Sequence, residues 1–302
     1  MSISLETAAL VDGLLLCFFY LIVFIFTITN NCLRFGKRFK MKHFENKSCL
    51  GPRIVFRIGN YFTILDGLLM GIGCLIYYGI GVNSFNFYMY YELLDIGCVY
   101  GILFTFFFTI TTVKNQLSRL LPNNKSSLTK WFDGINSFNI GFSVCTIVSN
   151  IVLLVYCEIL WQYQGCFVLE ASYTSTIFEI MFGFESSVHF LLCGISMIFF
   201  ILHLHEIFKT FIDVEFKKIK RREMICSFIL VFSFFCRCVF NLLFNGIAVT
   251  RSEVLEKDVY DYHRVYEDYR NQFLNGPTDW FSIIVTAITP LVTMQMMVDY
   301  PF

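Results

Sequence analysis

The chain has 302 residues and no net formal charge; 56% of it is hydrophobic, 19% aromatic with 37 Phe, and only 15% charged. Soluble domains carry about a quarter charged residues, so this balance excludes a water-exposed globular protein and points to the bilayer as solvent. A zero net charge offers nothing to nucleic acid, and the informative quantity is which loops hold which sign.

Seven apolar runs are long enough to cross roughly 30 Å of hydrocarbon, which takes about 20 helical residues. They cover residues 8–30, 60–82, 93–113, 138–160, 179–204, 224–249 and 278–299. A membrane barrel needs alternating segments of about 10 residues, whereas these runs are continuous. With no water to satisfy backbone groups inside lipid, each run is expected to be a helix. The expectation is an all-α polytopic membrane protein, with one domain over residues 1–302 forming a seven-transmembrane helix bundle. The first run is preceded by Glu6 and by no Lys or Arg, which is unlike a cleaved signal peptide, so it is expected to remain as a span.

Lys and Arg are segregated along the chain. The first loop holds Arg34, Lys37, Arg38, Lys40, Lys42, Lys47, Arg53 and Arg57, the third Lys114, Arg119, Lys125 and Lys130, and the fifth Lys209, Lys217, Lys218, Lys220, Arg221 and Arg222. The amino terminus and the second and fourth loops hold none, and in the sixth loop acids outnumber bases. The positive-inside rule then places the odd loops in the cytoplasm, the N-terminus outside and the C-terminus cytoplasmic. The sequons at Asn46 and Asn124 fall in loops assigned to the cytoplasm and read as chance. The basic patch Lys217, Lys218, Lys220, Arg221 and Arg222 has three readings. It holds its loop inside, attracts anionic lipid at about 1 kcal/mol per residue, or docks a cytoplasmic protein.

The sixth loop contains Tyr262, Tyr266 and Tyr269 at helical spacing among acids, which reads as an amphipathic helix on the outer surface or as a ligand-facing lid. Asn275-Gly276-Pro277 breaks it ahead of the last run. The chain reaches Phe302 soon after that run, so no cytoplasmic tail for phosphorylation is expected.

Arg237, central in the sixth run, stays charged at any physiological pH, and burying it costs on the order of 2.5–3.5 kcal/mol on insertion scales. It therefore needs a partner, either in a structural ion pair that fixes helix packing or in direct handling of a ligand or ion. Asp66 in the second run is the preferred counter-ion. At about 1.5 Å per residue it lies roughly 7 Å toward the cytoplasm from mid-span, within reach of a snorkelling Arg. Glu185, about 10 Å toward the outside, is the other acid at depth. Glu185 and His189 share a face of the fifth helix and line either a hydrogen-bonded packing cluster or a ligand cavity opening outward.

Neither a metal nor a cofactor is expected. His203-Leu204-His205-Glu206 offers ligand types, but residues two apart on a helix face different ways, and no Cys-x-x-Cys occurs. No enzyme is expected. A carrier is the third functional class, although no Gly/Pro-broken pair of runs suggests an inverted repeat.

Seven spans with an outer N-terminus resemble serpentine receptors, but Thr112-Val113-Lys114-Asn115-Gln116 has no Asp-Arg-Tyr, and Thr289-Pro290-Leu291-Val292-Thr293 lacks the usual Asn and Tyr. That resemblance implies a disulfide from Cys98, near the outer end of the third run, to Cys166 in the fourth loop. Three further patterns are similar to the tobamovirus-multiplication family of seven-span, receptor-like (THH-type) membrane proteins. They are Phe56-Arg57-Ile58-Gly59-Asn60-Tyr61 at the start of the second span, Phe235-Cys236-Arg237-Cys238-Val239 in the sixth, and Ile288-Thr289-Pro290-Leu291 in the last. Where that family tends to place a base in the second span this chain has Asp66, and where an acid precedes the seventh-span proline it has Ala287. The resemblance implies a non-enzymatic protein of the plasma membrane or of vacuolar or endolysosomal membranes. Such a protein recruits partners such as small GTPases, and Arg237 carries over as a structural residue. Two functions follow as expectations: recruitment or scaffolding through the basic loops, with a small GTPase or G protein as partner, and reception of an extracellular ligand.

Overall fold

The computed structural model describes residues 5–38, 50–80, 84–120, 127–162, 168–209, 214–254 and 283–299, and every one of these is helical. The helices are α1 (Leu5–Arg38), α2 (Leu50–Ile80), α3 (Ser84–Leu120), α4 (Ser127–Gln162), α5 (Val168–Lys209) and α6 (Val214–Val254). A seventh element, α7, opens with a π-helical turn over Ile284–Ile288 and continues as α-helix over Thr289–Asp299. Six stretches are long and apolar enough to cross a membrane: Leu10–Asn31, Ile54–Gly79, Tyr90–Lys114, Lys130–Leu160, Ile180–Glu206 and Lys220–Leu243. The apolar part of α7, Ile284–Val298, is shorter.

Side chains are distributed as lipid demands. Large apolar groups such as Phe18, Trp131, Phe138, Val152 and Phe232 point outward, whereas Asn60, Thr63, Asp66, Asn139, Asn150 and His189 are buried. Hydrocarbon is as apolar as a leucine, so there is no gain in burying more apolar surface; polar groups turn inward to find one another.

Neighbours in sequence pack together from α1 to α3 and from α4 to α6, while α7 lies against α6, α3 and α1 and closes the ring. α3 runs through the middle, touching α2, α4, α5 and α7. Its inward residues Leu103 and Phe106 are fully buried.

Two glycine pairs four apart let neighbouring helices approach closely. A Cβ on Gly67 would fall inside the Tyr20 ring, and one on Gly71 would meet Cys17 and Leu16, so α1 lies directly on α2. On α3, a Cβ on Gly97 would collide with the Asp66 carboxylate and one on Gly101 with Thr63. Gly-x-x-x-Gly spacing of this kind lets membrane helices approach closely and recover dispersion energy where hydrophobic driving force is absent.

The spans differ in register from the sequence expectation. The second is Ile54–Gly79 and the sixth Lys220–Leu243, earlier than 60–82 and 224–249. Asp66 is therefore the mid-span residue, and Arg237 sits about 8 Å beyond the midpoint of its own span. α6 also starts at Val214, so residues 217–222 are helical and continuous with the span. The amphipathic stretch expected around Tyr262, the sequons at Asn46 and Asn124, and Cys166 lie outside the described residues.

Candidate functional site

Arg237 is one turn from Ser233 on α6, and both meet the π-turn of α7. Pro290 has no N–H to donate one turn back, which leaves a carbonyl orphaned inside the bundle. The helix widens in response: the Thr289 N–H bonds the Ile284 carbonyl, five residues earlier, and the Thr289 hydroxyl bonds the same carbonyl at 2.7 Å. The Val285 carbonyl, which Pro290 cannot reach with a proton, accepts the Ser233 hydroxyl. Arg237 Nη1 donates to Thr286 Oγ1 at 3.1 Å, and its guanidinium carbon lies 5.8 Å from the Phe190 ring centroid. α6 thus grips α7 through two residues four apart.

Asp66 is not the partner of Arg237. Its carboxylate fills the niche left by Gly97, is 7% exposed, and leaves Oδ2 with no hydrogen bond. Arg237 is half-buried, and its Nε is likewise without a partner. The expected ion pair is not made; the guanidinium is hydrogen-bonded to Thr286 of α7 instead.

Cys98 carries a free thiol, 5% exposed. Cys166, the partner that the receptor resemblance implies for it, lies outside the described residues.

Glu185 and His189 do share one face of α5, as their spacing requires, and they belong to a polar ladder with α4 and α3. His189 Nδ1 donates to Asn139 Oδ1 at 2.6 Å, and Nε2 accepts the Thr146 hydroxyl at 3.0 Å, an arrangement that fits a neutral ring protonated on Nδ1. The Tyr100 hydroxyl donates to Thr146 at 2.7 Å, and Asn150 Nδ2 reaches both Tyr100 (3.3 Å) and Glu185 Oε2 (3.0 Å). His189 is 0% exposed, with Phe142 at 4.6 Å and Tyr100 at 5.7 Å between ring centroids. It has no free edge for a ligand, so the packing cluster is the arrangement the structure holds and the outward ligand cavity is not built around it. Sequence reasoning missed the α4 members. Asn139, Ser143, Thr146 and Asn150 recur at intervals of four, three and four in an otherwise apolar run, a legible polar stripe.

At the opposite end of the bundle the bases gather. Lys114 of α3 pairs with Asp133 of α4 and lies 5.9 Å from the Phe132 ring centroid. Arg221 is exposed and Lys220 half-buried, while Arg222 bonds the Glu223 carboxylate at 2.5 Å. Glu223 is itself 0% exposed. The side chains of Lys217 and Lys218 lie outside the described set. His203 is half-buried and His205 exposed, so the two do not converge.

No family model, characterised protein or solved structure matches the chain.

Proposed function

We propose that this multi-pass membrane protein recruits a cytoplasmic protein, of the small-GTPase or G-protein kind, to its membrane through the basic start of α6. The reading takes the positive-inside orientation, with the N-terminus outside and the end bearing Lys114 and Arg221 in the cytoplasm. The observation that carries it is the continuity of residues 217–222 with the membrane span. A basic patch on a rigid helix is held at a set height and azimuth, where a loop would need ordering on binding. Arg222 bonds the buried Glu223 carboxylate, and Arg221 is exposed. The membrane is the plasma membrane or an endolysosomal or vacuolar one, the locations that the tobamovirus-multiplication resemblance implies.

Proximity labelling from a tag at Phe302 tests this. Replacing Lys217, Lys218, Lys220, Arg221 and Arg222 by Gln is expected to remove specific cytoplasmic neighbours. An unchanged neighbour set assigns the bases to topology alone, and labels only on exoplasmic proteins overturn the orientation.

The second reading, a receptor for an extracellular ligand, is favoured by Asp66 and Arg237, two opposite intramembrane charges without counter-ions. An intramembrane charge is expensive, and its retention points to function.

A further inference from the structure

The ladder between α3, α4 and α5 holds one polar atom that its bonds leave idle. Asn150 is 0% exposed, and its Nδ2 serves Glu185 Oε2 at 3.0 Å and the Tyr100 oxygen at 3.3 Å, yet its Oδ1 has no donor. Native interiors keep few such acceptors. The charge on Glu185 accounts for the arrangement, because an ionised carboxylate only accepts and so draws the N–H side of the amide toward itself. The second N–H then occupies the Tyr100 oxygen, and Tyr100 gives its own proton to Thr146, which donates in turn to His189 Nε2. Of the titratable ladder residues, Tyr100, His189 and Cys193 are buried and Glu185 is half-buried. Glu185 lies five residues inside the Ile180 end of its span, about 8 Å by helix rise.

We infer that Glu185 is a proton-sensing site, and that Asn150 and Tyr100 convert its protonation into a change of contact between α3 and α4. A protonated Glu185 carries an O–H in need of an acceptor, and Asn150, the side chain bonded to it, has an unused oxygen. Turning the amide over puts Oδ1 where Nδ2 stands, in reach of Glu185 and Tyr100, and both then donate to it. Either orientation makes two bonds at the amide, so the proton on Glu185 decides between them. Tyr100 has one hydroxyl proton, so giving it to Asn150 withdraws it from Thr146. The two acceptors are four apart on α4, which gives α3 two settings one helical turn apart. His189 registers the change, because a Thr146 hydroxyl no longer polarised by Tyr100 is a weaker donor to Nε2. Among the described residues, the charged groups Glu92 and Asp95 of α3, Glu158 of α4 and Arg237 of α6 make no bond to Glu185. α6 meets this turn of α5 through the neutral pair Asn241 and Ser186.

The switch stands independently of the recruitment reading, and its test needs no cytoplasmic partner. The full chain, isotope-labelled at Glu, Tyr and His and held in lipid nanodiscs, is followed by NMR from about pH 4 to about pH 9, a range that covers solvated and buried carboxyl groups. The Glu185 carboxyl signal, assigned by its loss in Glu185→Gln, should shift with the same midpoint as the Tyr100 ring and His189 Nε2 signals. Glu185→Gln should abolish the pH response of Tyr100 and His189. In Asn150→Leu the Glu185 carboxyl should still titrate while Tyr100 and His189 no longer follow it. Tyr100→Phe keeps the ring and removes the hydroxyl, so it should abolish the His189 response alone. If neither of these two variants folds, coincidence of the three midpoints in the native chain decides. A Glu185 carboxyl that holds one state across the range overturns the inference, as do Tyr100 and His189 signals that stay still while it titrates. Responses that survive in Glu185→Gln overturn it too, for they belong to His189 itself.

Discussion

Gly97 shows how a single missing methyl group shapes the interior. The Asp66 carboxylate occupies the place where a Cβ would stand, so Gly97→Ala forces α2 and α3 apart or twists the acid. Overpacking of this sort costs about 1–3 kcal/mol, read as a lower unfolding temperature in detergent. The two residues share one space, so Gly97→Ala combined with Asp66→Ala should cost clearly less than the sum of the single changes. Cys98 offers a second check at this scale. Its buried thiol should resist a membrane-permeant maleimide in the folded protein and react after denaturation without reductant. A thiol that reacts only after reduction would point to the disulfide with Cys166. Arg237 and Asp66 stand out in the sequence as charges in apolar runs. Their partners do not, because Thr286 and Gly97 are ordinary residues until tertiary packing sets them alongside.

The π-turn of α7 is where an element's conformation depends on its neighbour. Pro290 announces a break, yet the proline alone does not choose between a kink and a widened turn. α6 decides it by offering the Ser233 hydroxyl to the Val285 carbonyl and Arg237 to Thr286. Interhelical hydrogen bonds in membranes average about 0.6 kcal/mol and reach about 1.7. Ser233→Ala should therefore cost about that much in the native chain. In a Pro290→Ala background the restored N–H takes up the carbonyl, and the same change should cost close to nothing. Thermal unfolding of the four proteins measures this double-mutant cycle, and equal costs in both backgrounds would remove Pro290 as the cause. The α4 ladder was more legible, since its polar stripe has helical spacing in the sequence. What it pairs with was not, because Tyr100 comes from α3 and is one tyrosine among 16.

At the scale of the whole molecule, α3 is central, packed against α2, α4, α5 and α7. Phe106, fully buried and 5.1 Å from the Phe234 ring centroid, should lose about 3–5 kcal/mol on change to Ala. Phe138, 63% exposed on α4, exchanges a lipid contact for a lipid contact and should lose close to nothing, although its residue type is the same. Comparable losses for the two would contradict this arrangement, again by thermal unfolding. The sequence by itself determined that the chain is helical and membrane-embedded, since an apolar run of some 20 residues has only one way to satisfy its backbone in lipid. It also marked the intramembrane charges and the segregation of Lys and Arg, both of which are local properties. Only the tertiary structure decided which charges meet. Spacing along one helix says which residues share a face, but the rotation of each helix about its axis is set by the glycine contacts and the α7 π-turn. Those long-range contacts turned Arg237 to Thr286, left Asp66 bare and closed His189 within a hydrogen-bonded ladder.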